Sequence, residues 1–315
     1  MYKGFSLNIE NENFLDNDIV CKLIYKEYMD NFNLYSHIYN TYQDYLITVD
    51  YSTFFDELNN NYVALYDNIN PDSKNIINTK ISSFVDDNKE INLTDIGENW
   101  FPEIEADVFI SHSHKDEKLA IKLALWLHYC FGIKAFIDST VWGYSRDLLY
   151  KIINNRAYNY FFDYPNSYKF DETLNINSHI DMLLSMALTK MVDKCECLIF
   201  LNTPNSISRE NTMEITYSPW IYHEIGVSKV IKKNIPNRLQ LKIKQHSFSN
   251  EELMPYFQIN TSHLFELNEN ILNSWREKSN MRGVEELNYL YEICANRIYR
   301  YKNKQKGVYR YGNWR

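Results

Sequence analysis

The stretch Asp107-Val108-Phe109-Ile110-Ser111-His112-Ser113-His114-Lys115-Asp116 organises the reading of the whole chain. Its first half is a short apolar run that ends in small polar residues, the mark of a buried strand. Its second half opens a helix from Ser113 to Cys130. Ser113 and Asp116 fit a capping box, in which the Ser side chain takes a free amide and the acid reaches back. Leu119, Leu123 and Leu127 then mark one helix face, with Ala120 and Ala124 beside it.

The same alternation continues downstream. Lys134–Asp138 reads as a second strand, opening into the loop Ser139–Tyr144. Ser178–Lys194 reads as a helix with Ile180, Leu183, Leu184, Ala187 and Met191 facing inward. Cys197–Leu201 is a third apolar strand, followed by the polar loop Asn202–Ser206. Ser218-Pro219 opens another helix, because Ser caps well and Pro at the first helical position loses no hydrogen bond. Leu239–Lys244 and Ser262–Leu267 offer two further strands. Alternating strands and helices over residues 105–270 predict an α/β domain with a parallel sheet flanked by helices.

Outside this region the sequence is less informative. Residues 1–100 are rich in Tyr and Asn, with helical spacing in segments 17–45 and 52–66, and predict a mainly helical accessory region. Residues 144–177 are aromatic and long enough to be an insertion over the site. Residues 271–315 predict a C-terminal helical extension, with a strong helix near 283–302 and a basic, aromatic tail. In that tail Arg297, Arg300, Lys302, Lys304, Lys306, Arg310 and Arg315 alternate with Tyr299, Tyr301, Tyr309, Tyr311 and Trp314. Such interleaving could stack on a nucleotide, but the plainer reading is a solvated helix end with a loose terminus.

Composition narrows the function classes. The chain has 315 residues, 45% of them hydrophobic, enough for a sizeable core. Its formal net charge of −8 makes it a poor general binder of nucleic acid or anionic membrane. The five cysteines include no CxxC pair, which argues against a disulfide framework or a zinc knuckle. Cys195 and Cys197 lead into an apolar strand and read as buried thiols. His112 and His114 lack a third ligand, so no metal site is expected. No signal peptide and no membrane-spanning run is visible, and a cytoplasmic location is expected.

In a parallel sheet the carboxyl ends of all three strands share one edge, which is where open α/β folds bind ligands. Loops 111–116, 138–144 and 202–206 meet there, as does the start of the helix at Pro219. On that helix Trp220 and Glu224 are four residues apart and share a face. Alone, this pair also describes a surface Glu beside a half-buried Trp. A lone carboxylate at such an edge nevertheless suits one particular reaction. Glycosidases generally need two acids because their leaving group must be protonated. The nicotinamide of NAD leaves a pyridinium as a neutral base, so one carboxylate suffices to stabilise the oxocarbenium-like transition state or to trap it.

Three segments together resemble TIR (Toll/interleukin-1 receptor) domains. Asp107–Asp116 resembles the first box. Phe136-Ile137-Asp138-Ser139 with Trp142-Gly143 is similar to the second strand and the loop after it. Ser218-Pro219-Trp220-Ile221-Tyr222-His223-Glu224-Ile225 is similar to the Ser-x-Trp-x-x-x-Glu-Ile signature. The resemblance covers residues 105–270. It implies a flavodoxin-like parallel sheet and cleavage of NAD to nicotinamide and ADP-ribose or a cyclic ADP-ribose isomer. It implies NAD as substrate with no further cofactor, Glu224 as the catalytic residue, and Ser111, His112, Ser113, Asp138, Ser139, Trp142, Ser218 and Trp220 around the nucleotide. It further implies TIR–TIR self-association, a role in bacterial anti-phage immunity, and a phage-derived trigger or a messenger-sensing effector downstream. The alternative that the same family allows is a scaffold that only self-associates. The first box contains a basic residue only as Lys115, and the 144–177 segment exceeds a simple TIR helix pair.

Residue by residue, other readings stay open. Ser113 and Asp116 serve as a helix cap. Asp107 satisfies backbone amides, and Asp138 is divided between structure and ligand. Trp142 either packs beneath its loop or stacks on the ligand. Hydrolysis and cyclisation are not separable by sequence.

Overall fold

The computed structural model describes residues 1–10, 92–142, 145–157, 170–210, 213–242, 257–279 and 282–293, with positions 15 and 60 besides. Along the chain the elements begin with β1 (Lys3–Asn8), α1 (Leu93–Trp100), β2 (Val108–Ser111), α2 (Glu117–Phe131), β3 (Ala135–Phe136) and α3 (Asp138–Val141). They continue with α4 (Ser145–Ala157), α5 (Phe170–Lys194), β4 (Cys197–Leu201), β5 (Ser208–Glu210) and β6 (Met213–Thr216). The last are α6 (Pro219–Val230), β7 (Phe257–Gln258), β8 (Phe265–Asn268) and α7 (Glu269–Lys278).

Five strands form one wholly parallel sheet in the order β3-β2-β4-β1-β8. Every residue of β2 (VFIS) and β4 (CLIFL) is buried. Such continuous apolar runs belong in a parallel sheet covered on both faces. Alternate side chains divide between two cores, as the two-residue period of a strand demands. Val108, Ile110, Cys197, Ile199 and Leu201 join Phe5 and Leu7 beneath α2 and α7. Phe109, Leu198 and Phe200 face the opposite way, toward Leu184, Leu188 and Met191 of α5 and Ile221 and Ile225 of α6. The helix α2 ends at Gly132, whose φ of 72° lets its amide close on the carbonyls of His128 and Leu127.

The strand order explains where a ligand site forms. β2 leads through α2 to β3 on one side, and the chain then returns by α4 and α5 to β4 on the other side of β2. The loops leaving β2 and β4 therefore diverge and open a crevice at the carboxyl edge.

The N-terminus departs from the sequence-based expectation. Residues 3–8 are not part of an accessory region: β1 is inserted between β4 and β8 and pairs in parallel with both. Phe5 and Leu7 supply one core face, and Gly4 allows close packing, since a Cβ there would lie 2.5 Å from Leu264 Cδ2. The expected helices of segments 17–45 and 52–66 lie outside the described residues, position 60 apart.

The C-terminal boundary also shifts. Residues 271–293 do not extend from the domain but close its core: Leu272, Trp275, Leu287 and Leu290 are fully buried against β1 and α2. Trp275 stacks on Phe131 with ring centroids 4.1 Å apart. The basic, aromatic stretch 297–315 lies outside the described residues. Of Leu239–Lys244, expected as a strand, residues 239–242 instead follow Pro236 into a 3-10 turn over Asn237–Lys242 and the remainder lies outside the described residues, while the last expected strand is β8. Proline preorganises a turn at its own position, and that local constraint prevails over the apolar residues after it. β5 and β6 fill the connection between β4 and α6, and β7, from beyond α6, joins them in a small antiparallel sheet.

Candidate functional site

Glu224 is positioned by the stripe it occupies. On α6 the buried residues are Ile221, Glu224, Ile225 and Ser228, the spacing of one helix face. A carboxylate therefore stands where the pattern calls for an apolar side chain, and only 3% of it is exposed. Ser218 caps this helix, its Oγ accepting from Ile221 N at 3.2 Å, and Pro219 follows at the first turn.

Across the crevice, Ser111 ends β2 and donates its hydroxyl to Glu224 Oε2 at 2.5 Å. Burial pushes the Glu224 carboxyl well above the usual carboxylate range, and the charge of Asp138 adds to that. The Ser111 hydrogen bond opposes both. A helix end favours a nearby carboxylate by only about 0.3–1 kcal/mol, so near the start of α6 desolvation of the buried Glu224 carboxyl outweighs it.

Glu224 lies on the wall of a cavity of about 410 Å³. His112, Asp138, Ser139, Trp142, Ser218 and Trp220 line the same cavity. Ser111 lies behind it, 1% exposed, and acts through Glu224. Ser113 does not line the cavity; its Oγ accepts from Lys115 N and caps a short 3-10 turn over His114–Asp116. The capping box expected between Ser113 and Asp116 does not form. Asp116 turns away and accepts from Thr203 Oγ1 at 2.5 Å and Asn205 Nδ2 at 2.7 Å. It thereby ties the loop after β2 to the loop after β4.

A second tie holds the β3 loop. Ser139 Oγ donates to Glu117 Oε1 at 2.9 Å, and Thr140 Oγ1 donates to the same oxygen at 3.4 Å. His112 Nε2 lies 3.5 Å from Ser139 Oγ. With the Ser139 hydrogen committed to Glu117, its oxygen is left to accept. His112 Nδ1 is buried without a hydrogen-bond partner among the described residues.

Trp142 resolves in favour of packing. Its Nε1 donates to Pro102 O at 3.0 Å, and its ring meets Phe101 and Phe136 edge to face. Only 2% of it is exposed, so it is a fixed wall of the cavity. Trp220 is half-buried and is the indole on the same helix as Glu224.

The cavity has further walls that sequence reading missed: His114, Ser145, Arg146, Asp147 and Leu184. Ser145-Arg146-Asp147 resembles an ordinary helix start, and Leu184 belongs to an apolar helix face. Only the placement of α4 and α5 beside the β3 loop turns them toward the site. Among the described residues no group of three or more His, Cys, Asp or Glu side chains is arranged to hold a metal ion. Cys195 and Cys197 lie in the core, where burial pushes the Cys195 thiol up to about 12 and Cys197 well above its ordinary value.

The fold and site thus define an open parallel α/β protein with a carboxylate-bearing cavity at the carboxyl edge of its sheet. Compared with protein-family profiles, curated proteins and solved structures, the chain matches none. Among the described residues no helix is long and apolar enough to cross a membrane.

Proposed function

We propose that this chain is a TIR-type enzyme that cleaves the nicotinamide–ribose bond of NAD. The observation that carries this reading is the buried Glu224 carboxyl, held by Ser111 and facing a cavity shared with Asp138 and Trp220. The sheet supports the finer fold assignment: β3-β2-β4 follows the 2-1-3 order of flavodoxin-like sheets. In this reading β1 occupies the position that a fourth strand from later in the chain usually takes.

The chemistry follows from charge. A pyridinium ring entering beside Asp138 and Glu224 brings a positive charge into a desolvated site. That charge favours the ionised form of Glu224. The bond between the ribose anomeric carbon and the ring nitrogen then breaks, its electron pair going to the nitrogen. Nicotinamide leaves neutral without an acid, and the Glu224 carboxylate stabilises the oxocarbenium centre. In hydrolysis, water adds to that carbon and gives up one proton to solvent. In cyclisation, a nucleophilic atom of the substrate's distal half takes the place of water, and its positioning near the carbon decides the product. Self-association, an anti-phage role and a phage-derived trigger belong to the same proposal through the TIR resemblance.

The test is incubation of the protein and a Glu224→Ala form with NAD over a range of protein concentrations, with products resolved by chromatography and mass. Nicotinamide release that Glu224→Ala abolishes is the expected result. The mass of the second product separates hydrolase from cyclase. No turnover at any concentration or after forced assembly would leave a self-associating scaffold as the better reading.

A further inference from the structure

We propose that Arg146 receives the diphosphate of the dinucleotide, so that NAD lies with its pyridinium against Asp138 and Glu224 and its diphosphate at the first turn of α4. The inference rests on the NAD-cleaving reading and specifies how that substrate is held.

Its basis is the distribution of charge around the cavity. Arg146 is exposed, lines the cavity, and is the one Lys or Arg among the described residues that do so. It makes no hydrogen bond or ion pair among the described residues. Asp147 follows it on α4 and lines the same cavity, but no ion pair joins the two among the described residues. On the inner side, the Asp138 carboxylate accepts no hydrogen bond among the described residues, while its charge acts on buried Glu224. The cavity wall therefore carries the carboxyls of Asp138, Asp147 and Glu224 together with one guanidinium, that of Arg146, which has no hydrogen-bond partner among the described residues.

A ligand that satisfies both carries a positive ring at one end and an anion farther along. NAD has that polarity: pyridinium, ribose, then diphosphate. A guanidinium presents parallel donors that match two phosphate oxygens, which an ammonium does not reproduce. The adenosine half would then lie beyond α4, outside the carboxylate-lined part of the cavity. Because Arg146 is solvent-exposed, this contact is screened by salt.

The experiment compares the wild-type chain with Arg146→Ala and Arg146→Lys on NAD, nicotinamide mononucleotide and nicotinamide riboside, which carry two, one and no phosphates. Arg146→Ala is expected to raise KM for NAD by about 10- to 100-fold, the range for losing hydrogen bonds to a charged group, with a much smaller change in kcat. The penalty should be smaller for the mononucleotide and smallest for the riboside, and Arg146→Lys should recover part of it. Raising the ionic strength should raise KM for the wild type more than for Arg146→Ala. An unaltered KM for NAD, or an equal loss on all three substrates, would overturn the assignment. ADP-ribose and adenosine titrated into both proteins by calorimetry give a readout independent of turnover. If no substrate is cleaved but ADP-ribose binds the wild type more tightly than Arg146→Ala, the phosphate site stands and NAD cleavage fails. If ADP-ribose binds the two alike, or binds neither, the phosphate site is wrong.

Discussion

Ser111 and Glu224, 113 positions apart in the chain, are joined by a 2.5 Å hydrogen bond from the Ser hydroxyl to Oε2. The bond links the last residue of β2 to the second turn of α6 and sets the orientation of a buried carboxyl on the cavity wall. It is also the stabilising influence on the ionised form of Glu224, set against burial and Asp138.

Removing the Ser111 hydroxyl should therefore move the site's titration in a defined direction. In Ser111→Ala, Glu224 loses the group that favours its charged form, so its pKa rises further. The acid limb of the NAD-cleavage profile is expected to shift to higher pH, with about 1 kcal/mol lost in stability. Measurement of kcat/KM against pH in both proteins checks this. A limb that stays in place or moves to lower pH would contradict it.

Glu224→Gln should separate activity from stability. The amide fits the same space but supplies no negative charge to an oxocarbenium centre, so NAD cleavage should fall by about 100-fold or more. Stability should respond with the opposite sign. A carboxyl whose folded pKa is raised stabilises the fold fully below its unfolded pKa, and that contribution is lost as pH rises through the folded value. The Tm of the variant relative to wild type should therefore climb as pH is raised from about 4, an ordinary Glu pKa. Thermal melts across the pH range read this directly. A difference in Tm that is flat with pH would show that Glu224 titrates like a surface acid.

Asp116 links two loops at the edge of the sheet, accepting from Thr203 and Asn205. Asp116→Ala leaves those donors without their acceptor and should cost about 1.5–3 kcal/mol. It should also raise KM for the ligand, because the loops after β2 and β4 bound the crevice. Denaturant unfolding and steady-state kinetics give the two numbers. A loss of stability with KM untouched would confine Asp116 to the fold.

Phe5 tests whether the N-terminal strand is integral. It is 0% exposed, pairs through β1 with both β4 and β8, and stacks near Tyr291 with ring centroids 6.2 Å apart. Phe5→Ala should cost about 3–5 kcal/mol, the cost of a cavity in a close-packed core. Hydrogen exchange should show β4 and β8 losing protection together. If only residues near Phe5 exchange faster, β1 is an appendage to the sheet.

By itself the sequence determined what depends on near neighbours. The apolar runs at Val108–Ser111 and Cys197–Leu201 are long enough to be strands and too uniformly apolar to be anything but buried. Ser218-Pro219 carries its own cap, and Trp220 and Glu224 share a face because helical spacing puts them there. The approximate edge at which Glu224, Asp138, Ser139 and His112 gather follows from those elements. Tertiary structure decided what depends on distant partners. The strand Lys3–Asn8 reads as part of a leader until its pairing with β4 and β8 is seen, since strand hydrogen bonds join residues about 190–260 positions apart. Asp116 has the local look of a helix cap, yet its carboxylate finds better donors in the loop after β4. The tertiary fold also set the charge preference of Glu224: a helix end favours the anion weakly, whereas burial and Asp138 oppose it more strongly. Arg146 and Asp147 became part of the cavity wall for the same reason. The spacing of residues along a helix is local, but the direction in which that helix faces is set by the sheet it packs against.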